Sequence, residues 1–252
     1  MVRAMGLLDF LKRKSAIEKH GERVANKRTQ NADRWESIQT LGKMATTEPS
    51  KGKADEREDA VGALMHRFKF YVDPTITDGE EKDETFRWIC EAGEVAVAPV
   101  KRALREQESL SWGLRCLEHL LDPSRLNDEL LALLDEMDIE YERDPQRKLQ
   151  LLGTLEEKQD ARITSAVVPF FLAINEEARF HAMGAALAQE NAEDIRDALF
   201  AALLEEDSVR VKVRVFTDLA EKGWPVPEGI SLPEGWFRDK RGLVRKSTKK
   251  SS

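Results

Sequence analysis

The chain has 252 residues, 41% apolar and 35% charged, with a net charge of −7, enough to bury a sizeable core as one domain. No apolar run approaches the ~20 residues that cross a bilayer and no signal-peptide pattern is present, so a cytoplasmic protein is expected. The charge is uneven: residues 1–28 hold eight Lys or Arg against three acids and residues 238–252 hold seven against one, which leaves −18 between them, a balance that repels nucleic-acid phosphates and suits a protein partner with a basic or neutral surface.

Residues 1–30 read as a basic amphipathic segment. Leu7, Leu8, Phe10 and Leu11 share a face beside Lys12, Arg13 and Lys14, which suits either weak contact with an anionic membrane or a self-packed terminal helix. Phe10 stands where a myristoylation signal has Ser or Thr. Trp35, Ile38, Leu41 and Met44 predict a helix over 31–45, and Val61, Leu64, Met65 and Phe68 a second over 56–72, with Pro49 and Gly52 in the loop between. Phe68 to Val72 reads as core. Asp73 to Glu80, with Pro74 and Gly79, reads as a break.

From Lys82 onward the helices pair regularly: 85–92 with 95–104, 110–121 with 127–137, 146–157 with 163–174, and 175–187 with 193–206. Asn175 is a capping residue, and Glu176 and Glu177 sit in the first turn, where the helix dipole favours acids. Residues 209–215 alternate Val with Arg and Lys, which alone reads as a strand. The run continues to Glu221-Lys222-Gly223, a helix stop signal, so a helix is predicted, apolar over more than half its circumference and covered on two sides. Residues 225–237 carry three Pro and two Gly beside Ile230, Leu232, Trp236 and Phe237, and read as an extended strap over the last repeat, with an exposed peptide that inserts into another protein as the alternative. Basic residues 238–252 are expected to be disordered.

Leu155, Leu187 and Leu219 lie at equal intervals of 32 residues, and Leu151, Met183 and Val215 keep step. A period of this size marks stacked helix pairs. The recurring start, an Asn or acid, then a small apolar residue and Arg (Asn175 with Ala178-Arg179, Asp207 with Val209-Arg210), followed by a Leu eight or nine residues on, resembles HEAT repeats. Pro99 and Pro169 inside second helices are similar to that family too. The resemblance covers residues 80–224 and implies an all-α solenoid of about five helix pairs in a right-handed superhelical stack. It also implies structural roles, bonding within and between repeats, for Arg179, Asp207 and Arg210. Tetratricopeptide repeats, at 34 residues, are the rival, matched only in fragments such as Gly184 and Phe200.

No nucleotide-binding glycine motif, serine-nucleophile motif or metal-ligand spacing occurs; His20, His66, His119 and His181 are scattered, and Cys90 and Cys116 read as buried free thiols. No cofactor, metal or enzymatic activity is therefore expected. In HEAT-like stacks the second helices line the inner wall, and the candidate partner-binding residues are Glu129, Asp135, Glu136 and Asp138 on one such helix and Glu193, Asp197 and Glu205 on another. The leading expectation is a non-enzymatic interaction scaffold. A peripheral-membrane adaptor held by residues 5–14 and the basic tail is the alternative. HEAT-like DNA glycosylases, suggested by Trp88 and Trp112, fit the acidic middle poorly.

Overall fold

The structure, a computed structural model, describes residues 14–51, 54–140 and 142–247. It is 67% helix, with twelve α-helices and a single two-stranded sheet among the described residues, and is therefore all-α. The chain divides between Pro123 and Ser124 into two compact units, where composition alone predicts one domain.

The first unit opens with α1 (Ala16–Ala25), begun by a reciprocal cap: the Glu18 N–H donates to the Ser15 hydroxyl and the Ser15 N–H to the Glu18 carboxylate. This helix packs on α2 (Asn31–Thr46) and α3 (Arg57–Met65), burying Val24. A 3-10 turn over His66–Lys69 follows α3. Helix α4 (Thr75–Glu91) starts directly after Pro74, so the predicted break at 73–80 is mostly helical. The first turns of α4 bury Asp78, Glu81 and Lys82, side chains that hydropathy counts as solvated. Then come α5 (Val97–Glu106) and α6 (Ser111–Leu120). Helices α2, α4 and α6 pack in succession, and α3 packs on α5.

In the second unit the helices are α7 (Pro123–Asp135), α8 (Gln146–Glu156), α9 (Ala161–Ala166), α10 (Glu176–Leu187), α11 (Arg196–Glu205) and α12 (Val209–Lys222). Helix α8 packs on α10 and α10 on α12. The six residues spaced by 32, on these three helices, are all at most 2% exposed. Each such burial contributes roughly 1.5–3 kcal/mol. The second member is broken in three of the four pairs, 3-10 turns preceding α5 and α11 and following α9, while α7 is continuous. Pro99 and Pro169 thus lie in first turns, where a missing N–H leaves no bond unmade, rather than in helix interiors.

Helix α12 is capped by Ser208 and stopped by Gly223 at φ 67°, a left-handed conformation that costs glycine least. It buries Val211, Val215, Phe216 and Leu219, whereas Val209 is 62% exposed. The second cover over this helix is the segment after Trp224. Trp236 lies 6.0 Å from the Phe216 ring, and Ser231 accepts a hydrogen bond from Lys212 at 2.7 Å. The disorder expected from Arg238 onward is corrected as far as Ser247. β1 (Trp236–Arg238) pairs antiparallel with β2 (Val244–Lys246) around a turn at Asp239, whose carboxylate accepts the Arg241 and Leu243 N–H groups. Val244 is buried beneath it, and Arg238 donates to the carbonyls of Val226, Pro227 and Ile230.

Candidate interaction surface

The turns inside successive pairs of the second unit are tied by a ladder of amides. Asn127 donates to the Gln159 carbonyl, Gln159 to that of Ala188, Gln189 back to that of Lys158, and Asn191 to that of Ala161. The partners are 29 to 32 residues apart, so corresponding turns lie side by side. Asp160 caps α9 and accepts from Arg162, whose guanidinium also reaches Asp128 on α7 at 2.7 Å.

Arg179 spans two pairs. Its Nε and Nη2 meet the two carboxylate oxygens of Glu206 at 2.7 and 3.0 Å, while Nη1 donates to the carbonyls of Ala173 and Ile174. Burial pushes the Glu206 carboxyl up, but the Arg179 guanidinium and the Ser208 N–H outweigh it and hold the group below its ordinary range. The acid in this bond is thus Glu206, which is buried, and not its neighbour Asp207, which is exposed. Arg210 lies over the Phe180 ring at 4.4 Å and 3.8 Å from Glu176, and is half exposed.

The predicted acidic residues divide. Glu193, in the turn before α11, Asp197, in its first turn, and Glu205, at its end, are all exposed. Leu204, beside Glu205, is 57% exposed, and Leu172, 32 residues earlier, is 64% exposed. On the other element, Glu129 is half-buried on α7 and Asp135 is exposed at its last residue. Glu136 and Asp138 lie beyond the helix end, a correction to the predicted helix over 127–137. Asp138 faces the buried Lys148 ammonium at 3.8 Å, with Glu142 at 3.0 Å, so part of this acidic charge is neutralised within the unit.

The first-helix layer carries a polar chain that sequence reasoning missed. His181 Nδ1 is 2.5 Å from Glu156, whose other oxygen accepts from Arg214 at 3.1 Å, and Arg214 donates to Asp218 at 3.2 Å. Burial raises the Asp218 carboxyl, against the pull of Arg214. Gly184 is what admits the chain: a Cβ there would lie 2.8 Å from Arg214 Nη2 and 3.1 Å from Glu156 Cδ. Its one signal in the sequence is a glycine in mid-helix.

In the first unit Glu81 receives Arg34 at 2.7 and 3.1 Å and Arg67 at 2.7 Å, and Asp78 binds Arg67 and Lys82. All five side chains are at most 7% exposed, under Phe70 and Tyr71, which face Arg67 and Lys82. Burial raises the Asp78 carboxyl, but Lys82, Arg67 and the Val72 N–H outweigh it and hold it low. Trp112 stacks on Phe68 at 4.9 Å, and Trp88 fills the space that Gly42 leaves, so both act in packing. Among the described residues no group of three or more His, Cys, Asp or Glu is placed to hold a metal, and no helix is long and apolar enough to cross a membrane. Of the candidate membrane residues, Leu7, Leu8, Phe10, Leu11, Lys12 and Arg13 lie outside the described residues. Lys14 is paired with Glu22 at 2.6 Å.

No family model, no curated protein and no solved structure matches this chain.

Proposed function

We propose that the chain is a non-enzymatic interaction scaffold of stacked HEAT-like helix pairs, working in the cytoplasm. The amide ladder, the equal burial of residues 32 apart and the Arg179 to Glu206 bond support this stacking, since each ties one pair to the next. The observation that carries the functional reading is the surface formed by Glu193, Asp197 and Glu205 with Leu204 and its counterpart Leu172, acidic and apolar at once and exposed. Such a face takes a partner that presents cations around apolar side chains: the charges steer the encounter and the leucines supply desolvated area.

The test is capture by the full chain against a variant carrying E193K, D197K and E205K. The variant is expected to keep its melting temperature and to lose, at least tenfold, the proteins retained by wild type at low salt. Equal capture by the two would remove this face from the account.

A further inference from the structure

Cations around exposed apolar side chains, the chemistry that suits the α11 face, occur on this chain itself. Residues 236–247, the hairpin of β1 and β2, hold five Lys or Arg against Asp239, whereas residues 190–207 hold seven acids against Arg196. Phe237 is 47% exposed and stands opposite Arg245 in the strand pairing, so the two share a face of the hairpin. Lys240 and Arg241 are exposed in the turn. Beside Phe237 lies a cleft of about 580 Å³, formed with Ala220, Leu243 and Val244 and with Arg245 and Lys246.

We propose that the α11 face of one copy docks the β1–β2 hairpin of a second copy of this chain. The inference rests on the α11 face being the capture surface. The spacings of the two surfaces match. On α11, Asp197 and Leu204 fall on one side of the helix and lie about 10 Å apart, with Glu193 one turn before Asp197 and Glu205 beside Leu204. On the hairpin, the stretch from Phe237 to Lys240 and Arg241 spans roughly 10 Å. Leu204 therefore enters the cleft beside Phe237, Asp197 and Glu193 meet Lys240 and Arg241, and Arg245, across the pairing from Phe237, meets Glu205.

The contact forms between copies because each hairpin is seated on its own α12. Trp236 packs against Phe216, Val244 is buried, and Arg238 donates to the carbonyls of Val226, Pro227 and Ile230. The two surfaces differ, so the interface is heterologous, and repeated contacts close a ring or extend a row. Its charges lie exposed, so salt screens them and sets the strength of association.

Sedimentation of the purified full chain over a range of concentrations tests this. At low salt the mass is expected to rise above the 28.7 kDa of one chain as concentration increases, and to return to it at high salt. E193K/D197K/E205K and K240E/R241E/R245E should each be monomeric alone, and an equimolar mixture of the two should associate again, because each reversed face then meets its complement. Phe237→Ala, which leaves every charge in place, should weaken association about tenfold. Circular dichroism establishes that each variant is folded; where a charge-reversed variant is not, Phe237→Ala alone decides. Association that survives either charge reversal or Phe237→Ala, or a mixture that stays monomeric, would overturn the proposal. A wild-type chain that is monomeric throughout, while E193K/D197K/E205K still loses other captured proteins, would overturn it too and leave the α11 face as the capture surface.

Discussion

Arg179 holds Glu206 through two nitrogen–oxygen contacts of 2.7 and 3.0 Å while its third nitrogen binds the backbone before its own helix. Arg34 repeats the geometry in the first unit, with Glu81 at 2.7 and 3.1 Å and the Thr29 carbonyl at 2.7 Å. In both, an arginine in the first turn of one helix meets an acid well along the chain, 27 residues on in one case and 47 in the other. A planar guanidinium can satisfy both demands at once; lysine cannot.

Removing the acid strands the arginine. Glu81→Gln leaves Arg34, Arg67 and Lys82 buried with Asp78 alone and is expected to destabilise the chain by about 3–5 kcal/mol. Glu206→Gln, whose Arg179 partner keeps 20% side-chain exposure, is expected to cost less, about 2 kcal/mol. Urea unfolding of the two variants checks the order; equal losses would contradict it.

Two mid-helix glycines should respond oppositely to alanine. A Cβ at Gly42 would stand 2.1 Å from the Trp88 ring, so Gly42→Ala forces the indole out and should destabilise by about 1–3 kcal/mol. Gly62 has nothing within 4 Å of such an atom, and Gly62→Ala should stabilise by about 0.5–1 kcal/mol through helix propensity. Thermal melts of both decide the signs.

Asp160 titrates low, at about 2, through its hydrogen bond from the Arg162 side chain, against burial, with the Arg162 N–H adding to the effect. A depressed folded value means that its stabilisation is present above the ordinary 3.8 and is lost as the pH falls from there through about 2. Asp160→Ala removes the cap of α9 as well and should cost about 1–2 kcal/mol at neutral pH. Asp160→Asn should keep most of the cap and flatten the acid limb of the stability curve.

Burial, with Arg23 and Lys19, lowers His20 against Glu36, and burial with Lys69 lowers His66 against Glu106. Both therefore favour the neutral ring in the fold. Their contribution is complete above 6.5 and is lost as the pH falls through their lower folded values. Melting temperature should drop between about pH 7 and pH 5, and less steeply in His66→Gln.

The helices were legible because apolar residues such as Leu155, Leu187 and Leu219 fall at helical spacing and are buried, and Gly223 marked the end of α12 through its backbone conformation. The ionic cluster around Glu81 was not, since hydropathy assigns Arg, Glu and Lys to solvent and cannot see that they satisfy one another. The hairpin at 236–246 was hidden by the surrounding lysines and arginines, although Asp239 and Gly242 are turn residues and Val244 is its one fully buried apolar anchor. Acidic candidates were placed by helix face, and α7 ends before Asp138, so that residue fell to Lys148.

The central claim is that the α11 face, and not acidity in general, captures partners. It is tested by comparing E193K/D197K/E205K with a control, E176K/E177K, that reverses the charge of the exposed Glu176 and the half-buried Glu177 on α10, in matched capture assays across a salt series. The account predicts loss of capture and of its salt dependence in the first variant, with the control close to wild type and both still folded. Equal loss in the two, or none in the first, would contradict it.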